Sequence, residues 1–324
     1  MAAVDFLIRA DGSDELGLGH VNRCLLLAGE LRALGCRTTL AVTDTSLARR
    51  FLEGAEVLFL PPDAGPEFLP PADIAVVDLY RYDAAFYRAL GNISRKIAMF
   101  DDTAFIVPPG VGAVINTGPN VLPSQYPARV KAICGPAYLP IRPEFQRTRG
   151  GPEGQDAFLC LGASFLPAET ARLARVALGA CSCRIHVVSA ATASELHRAG
   201  CPDSPRLLLH AVPAPLPQLI AASKFALCSA GSIFFEIAAM GVPACCCCLA
   251  ENQRRISAAL AELGAALSLG MFDEFTDSEL AQSIIVLDTD PETRRRLSGR
   301  AASLCDGNGA QRLASELMAW RKEP

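Results

Sequence analysis

The chain has no block of basic residues: 30 Lys and Arg stand against 34 Asp and Glu, a net charge of −4. That balance argues against nucleic acid as a main partner and against an electrostatically held membrane surface. A secretory signal pattern is missing, because Asp5 and Arg9 interrupt the first apolar run. The longest nearly uncharged stretch, residues 225–250, is broken by Glu236 and by Gly241-Val242-Pro243. It reads as strand, helix, strand inside a core, so no stable membrane insertion is expected. These absences predict a cytoplasmic protein. No repeat and no low-complexity segment is evident beyond a run of cysteines, Cys245-Cys246-Cys247-Cys248.

What is present is apolar. Of 324 residues, 51% are hydrophobic and 20% charged, which predicts sizeable cores and a chain long enough for two domains. Thirteen cysteines pose a choice between disulfides, a metal site and use as small hydrophobes. Without an export signal, disulfides are disfavoured. A strand through the cysteine run alternates its side chains between faces, so the four cannot surround one ion, and no second pair has zinc spacing. Buried, reduced cysteine is the reading this leaves.

The chain is organised around a stretch near its start, Ile8-Arg9-Ala10-Asp11-Gly12-Ser13 and then Gly17-Leu18-Gly19-His20-Val21-Asn22-Arg23-Cys24. Phe6-Leu7-Ile8 reads as a buried strand. Residues 20–34 read as a helix with Val21, Cys24, Leu25, Ala28 and Leu31 on one face. The glycines between let a ligand approach the backbone, and the helix start offers N–H groups to an anion such as a diphosphate. His20 stands where strand, loop and helix meet and can exchange a proton near neutral pH. The bland alternative is a tight turn with a histidine at a helix start.

Strand patterns at 6–9, 37–42, 57–60, 74–78, 96–100, 113–116 and 130–134 alternate with helical ones such as 84–90. After a polar, glycine-rich stretch at 146–155 a second series follows. Its strands are at 157–161, 184–189, 206–210, 224–228, 244–248 and 265–268. Its helices are at 168–177, 232–240, 252–263, 277–286 and 291–304, with a last one at about 309–320. The reading is α/β: two parallel-sheet domains in series, 1–146 and 156–324, with a cleft between them. Ligands of such sheets bind at the strands' carboxyl ends, where Asp78 and Asp101-Asp102 stand. Each Asp is equally readable as a helix N-cap. The second half has its own small-residue loop, Cys228-Ser229-Ala230-Gly231-Ser232, before a helix carrying Glu236. That loop suits a phosphate and Glu236 suits ribose hydroxyls; the alternative is a Glu favoured by the helix dipole. Glu251-Asn252-Gln253 follows the cysteine strand and is placed either to reach a sugar or phosphate or to cap a helix.

Together with Val76-Val77-Asp78-Leu79-Tyr80, Phe100-Asp101-Asp102, the segment from Tyr138 to Phe145 that holds Arg142, and Gly241-Val242-Pro243, these motifs resemble a known family. It is that of the nucleotide-sugar hydrolases of pseudaminic acid biosynthesis, which act on UDP-2,4-diacetamido-2,4,6-trideoxy-β-L-altropyranose. Related spore-coat polysaccharide biosynthesis proteins are similar too. The resemblance implies a GT-B-like pair of Rossmann-type domains with an interdomain cleft, the last helix packing back on the first domain. It implies a UDP-sugar substrate, no cofactor and no metal. His20 would be the catalytic base that activates water. Asp11, Gly17, Gly19, Asn22, Arg23, Asp78, Tyr80, Asp102 and Arg142 would bind substrate. Ser229, Gly231 and Ser232 would hold the diphosphate, Glu236 the ribose, and Glu251, Asn252 and Gln253 the sugar or its phosphate. The turn Gly162-Ala163-Ser164 lacks the Asp usual in that family. Two alternatives stand beside the hydrolase: a GT-B glycosyltransferase using a UDP-sugar, and a non-catalytic nucleotide-sugar binder.

Overall fold

The computed structural model describes residues 3–12, 18–79, 83–102, 106–146, 154–162 and 164–323. Gly17 and Tyr80 lie outside the described residues. The chain divides into two units, Met1–Ile141 with Asn308–Pro324, and Arg142–Gly307.

In the first unit, strands β1 (Asp5–Ala10), β2 (Arg37–Thr43), β3 (Val57–Leu60), β4 (Ala72–Asp78), β5 (Ser94–Phe100), β6 (Ala113–Asn116) and β7 (Lys131–Cys134) form one sheet in the order β3-β2-β1-β4-β5-β6-β7. Every pairing in it is parallel. Central parallel strands are buried on both faces, which is why β4 and β6 read as near-continuous apolar runs rather than alternating ones. Among the described residues the α-helices between them are α1 (Gly19–Ala33), α2 (Ser46–Phe51) and α3 (Ala84–Leu90). Helix α1 buries Val21, Cys24, Leu27, Ala28 and Leu31, with Leu25 only partly covered.

The second unit repeats the plan. Strands β8 (Asp156–Cys160), β9 (Ile185–Ser189), β10 (Leu207–Ala211), β11 (Ser223–Ser229), β12 (Ala244–Cys248) and β13 (Leu267–Met271) run in the order β10-β9-β8-β11-β12-β13. The helices are α4 (Pro167–Ala180), α5 (Ala193–Arg198), α6 (Leu216–Ala221), α7 (Ser232–Ala239), α8 (Arg254–Glu262), α9 (Asp277–Thr289) and α10 (Pro291–Leu304). The last strand begins at Leu267 rather than at 265: after the turn at Gly264, with φ +64°, the buried Ala265 and Ala266 form a bend that leads into it.

The chain then returns to the first unit as α11 (Gly309–Trp320). This helix buries Leu313, Ala314, Leu317 and Trp320 in the core that also holds Phe6, Ile8 and Leu31. Its start touches the chain so closely that a Cβ on Gly309 would stand 2.0 Å from the carbonyl oxygen of Leu139. The Trp320 ring lies against Gly112, and the Lys96 ammonium sits 5.0 Å from the ring centroid.

No disulfide joins any of the thirteen cysteines, and all but Cys134 and Cys183 are buried. Along β12, Cys245 and Cys247 enter one core, while Cys246 turns to Ser257 on the other face. Among the described residues no helix is long and apolar enough to cross a membrane.

Candidate functional site

Both sheets reverse their strand order at one place, between β1 and β4 and between β8 and β11. At such a switch point the flanking loops diverge and leave a crevice at the strands' carboxyl ends. In the first unit the residues there are Asp11, Asp78 and the start of α1.

His20 and Arg23 stand three residues apart on α1, hence on one face. Both turn to Asp78, the last residue of β4. His20 Nδ1 lies 2.6 Å from Asp78 Oδ1. Arg23 Nε donates to Asp78 Oδ2 at 2.6 Å, and its terminal nitrogen donates to Oδ1 at 2.6 Å. The same guanidinium grips Asp102 at 3.0 and 2.8 Å and stacks over the Phe100 ring at 4.3 Å. Asp78 is 1% exposed, a burial that by itself would raise its pKa. The Arg23 cation, then the contacts to His20, outweigh it and hold the carboxyl well below its usual range. The paired carboxylates in turn push Arg23 above its ordinary value against its own burial. Beside Asp78, burial drives the Cys24 thiol well up. An ionised carboxylate only accepts, so the His20 proton belongs on Nδ1 and Nε2 is the basic atom. That nitrogen lies 3.7 Å from Asp102 Oδ2.

Asp78 is not the N-cap of the next helix: α3 is capped by Asp83, whose side chain accepts from Phe86 N. Asp101 is buried and accepts from the Tyr126 hydroxyl at 2.8 Å, a structural contact within the unit. Asp11 is tied to the buried Arg9 at 2.8 Å and accepts from Thr43. The sequence assigns Arg9 and Thr43 no part in the site; an Arg inside an apolar strand is the signal that points to one. Gly19 is exposed, and Asn22 uses its backbone N–H on Leu18 O at 2.8 Å.

In the second unit, β11 ends at the buried Ser229, and Gly231 is the N-cap of α7. Glycine has no side chain to cap with; Phe234 N donates to Gly231 O at 3.1 Å, and no side chain caps the N–H groups of Ser232 and Ile233 ahead of it. Ser232 opens the helix and is exposed. A Cβ on Gly231 would stand 3.5 Å from Ser229 Oγ and 3.6 Å from Gln253 Nε2, so Gln253 borders the loop. Its Oε1 is occupied by Leu249 N at 2.9 Å. One turn into α7, Glu236 receives Arg142 at 3.1 and 3.0 Å on Oε1. Arg142 also lies 3.4 Å from Glu144 and over the Phe145 ring at 4.7 Å. Burial raises the Glu236 pKa, and Arg142 pulls against it. Glu251 is exposed and paired with Arg254 at 2.8 Å, while Asn252 is exposed beside it. Among the described residues no group of three or more His, Cys, Asp or Glu is arranged to hold a metal ion.

Two Rossmann-type parallel sheets in series, with the last helix returned to the first, define the GT-B fold. MurG of Acinetobacter baumannii superposes with a TM-score of 0.70 at 16% identity, over 98% of this chain and 99% of that one. CalG4, the calicheamicin glycosyltransferase, gives 0.67 at 18%, over the whole of both chains. UGT89C1 of Arabidopsis thaliana, complexed with UDP-L-rhamnose, gives 0.70 at 14%, over 99% of this chain and 100% of that one. No protein-family model matches the sequence, and a search of curated proteins finds no match.

These findings correct the expectation drawn from the motifs. A UDP-sugar hydrolase of pseudaminic acid biosynthesis, with His20 activating water, is not what the comparisons return. The solved structures that share the fold along its whole length include the calicheamicin glycosyltransferase and the spinosyn rhamnosyltransferase SpnG, the latter bound to thymidine diphosphate. The hydrolase reading is withdrawn.

Proposed function

We propose that the chain is a glycosyltransferase that moves a sugar from a UDP-linked donor to a hydroxyl of an acceptor. The observation that carries this reading is the contact of His20 Nδ1 with the buried Asp78 carboxylate at 2.6 Å. Such a pair makes Nε2 a base able to take the proton of an attacking hydroxyl, while Asp78 stabilises the imidazolium that forms. The acceptor oxygen then displaces the nucleotide at the anomeric carbon in one step, which inverts that centre. Arg23 holds Asp78 ionised and in place, and Asp102, beside Nε2, is suited to orient a polyhydroxyl acceptor.

The second unit has the groups a nucleoside diphosphate wants. The N–H groups at the start of α7, with Ser229 and Ser232, suit the leaving diphosphate's charge. Glu236, fixed by Arg142 on one oxygen, suits the two ribose hydroxyls. Gln253, on the rim of the loop, suits the sugar or its phosphate. Gly17, Tyr80, Glu251 and Asn252 keep the substrate-binding roles expected from the motifs as part of this proposal. No metal or cofactor enters the mechanism proposed.

The test is UDP release from a panel of UDP-sugars, with and without hydroxyl acceptors. Release that requires an acceptor, with a glycosylated product by mass spectrometry, supports the reading. Equal release without any acceptor overturns it.

A further inference from the structure

Apart from these groups, one pair of thiols differs from the rest. Helix α4 ends at Ala180 with Cys181 as its C-cap, and the bend Cys181-Ser182-Cys183 leads into β9. The two sulfurs are 3.4 Å apart, with the Cys183 thiol aimed at Cys181 Sγ. The bend is held by Arg206, whose guanidinium donates to the carbonyls of Leu178 and Cys181 at 2.6 Å and of Cys183 at 3.4 Å. This puts a cation against the turn. On its far side Cys183 lies 3.9 Å from Asp288 of α9, a carboxylate paired with Lys224. Cys181 is buried, and Cys183 is partly exposed.

We propose that Cys181 and Cys183 form an oxidisable dithiol that closes to an intrachain disulfide on reaction with a hydroperoxide. The sulfurs already stand at van der Waals contact, 3.4 Å apart, and must close to about 2.05 Å. Cys183 donates to Cys181 Sγ, and the Cys181 thiol in turn donates to the carbonyl of Ala177 at 3.2 Å. The hydrogen bond from Cys183 holds the Cys181 thiol below its ordinary pKa, with Arg206 assisting, and drives Cys183 the other way. The contrast is with Cys228 and Cys245, fully enclosed thiols that burial pushes well up.

The steps balance. The Cys181 thiolate attacks the peroxide: an S–O bond forms, the O–O bond breaks, and the departing oxygen leaves as an alcohol or water once protonated. Cys181 is then a sulfenic acid, oxidised by two electrons. Cys183 sulfur attacks it, the S–S bond forms, the S–O bond breaks, and the hydroxide leaves with the Cys183 proton as water. A ring closed over the single residue Ser182 is strained, and strained disulfides are the readily reduced ones. A small dithiol therefore restores the pair by exchange.

The experiment uses the full chain treated with a modest excess of hydrogen peroxide. The expected result is an intact mass lower by about 2 Da, two hydrogens, restored by dithiothreitol, with the bond mapped to the peptide holding both cysteines. In Cys183→Ser the sulfenic acid should be trapped at Cys181 by dimedone. In the double variant with serine at both positions the mass loss should vanish while circular dichroism stays unchanged. An unchanged wild-type mass, or a loss mapped to other cysteines, overturns the proposal, and the wild-type mapping decides the matter should the variants fold poorly.

Discussion

Asp78 accepts His20 Nδ1 and Arg23 Nε, each at 2.6 Å, across more than fifty positions of sequence. One buried carboxylate therefore orients the imidazole and is itself held by a guanidinium. The three side chains come from the end of β4 and the first turn of α1, and the parallel pairing of β1 with β4 brings those two places together.

Replacing His20 by alanine should lower acceptor-dependent turnover by about 10²–10⁴, the usual range for a lost general base. UDP affinity by calorimetry should stay nearly intact, because the groups proposed to hold UDP are in the second unit. Full activity of His20→Ala would move the base to another residue, with Asp102 the next to vary.

Asp78 predicts an acid-labile first unit. Its folded pKa is depressed, since Arg23 and His20 outweigh the burial that would raise it. Above its unfolded value of about 3.9 the ion cluster contributes in full. As pH falls below that value, the unfolded chain takes up a proton that the folded one refuses, and stability is lost progressively toward the folded pKa. Asp78→Asn should remove this part of the slope and cost about 3–5 kcal/mol at neutral pH, because Arg23 loses its buried partner. Urea midpoints across pH for both proteins check it; parallel curves would mean that Asp78 is not the group titrating.

Glu236 behaves oppositely. Burial raises its pKa, so its ionised form is lost on acidification sooner than for an ordinary Glu. Glu236→Ala should weaken UDP binding by about 1.5–3 kcal/mol, the range for a hydrogen bond to a charged group. Unchanged affinity by calorimetry would place the ribose elsewhere.

Two glycines test the packing of the last helix. Gly309→Ala would set a Cβ 2.0 Å from Leu139 O, a backbone atom that cannot swing away, and should destabilise by about 1–3 kcal/mol. Gly299 lies in α10 with nothing within 4 Å of its added Cβ, so Gly299→Ala should stabilise by about 0.8–1 kcal/mol through helix propensity. Thermal melts of the pair with shifts of opposite sign are expected; equal shifts would deny the close approach of α11.

The motifs led to a hydrolase, and the reason they misled is chemical. A histidine beside a carboxylate takes a proton from water or from an acceptor hydroxyl alike. The difference lies in what binds beside such a histidine, which the motif residues do not encode.

Local physics was legible from the chain alone. Apolar runs of strand length between amphipathic helices could bury themselves only in parallel sheets, so the elements and the α/β class followed from periodicity. His20, Arg23, Asp78, Asp102, Arg142 and Glu236 were readable as polar groups at strand ends, in loops and at helix starts. Their partners were not. That Asp78 is locked by Arg23 rather than capping a helix, that Arg142 meets Glu236, and that Gly309 must be small depend on contacts between residues far apart in sequence. The strand order that sets β4 beside β1 brings Asp78 to Arg23, the return of α11 sets Gly309 on Leu139, and a one-dimensional pattern carries no distance between such groups.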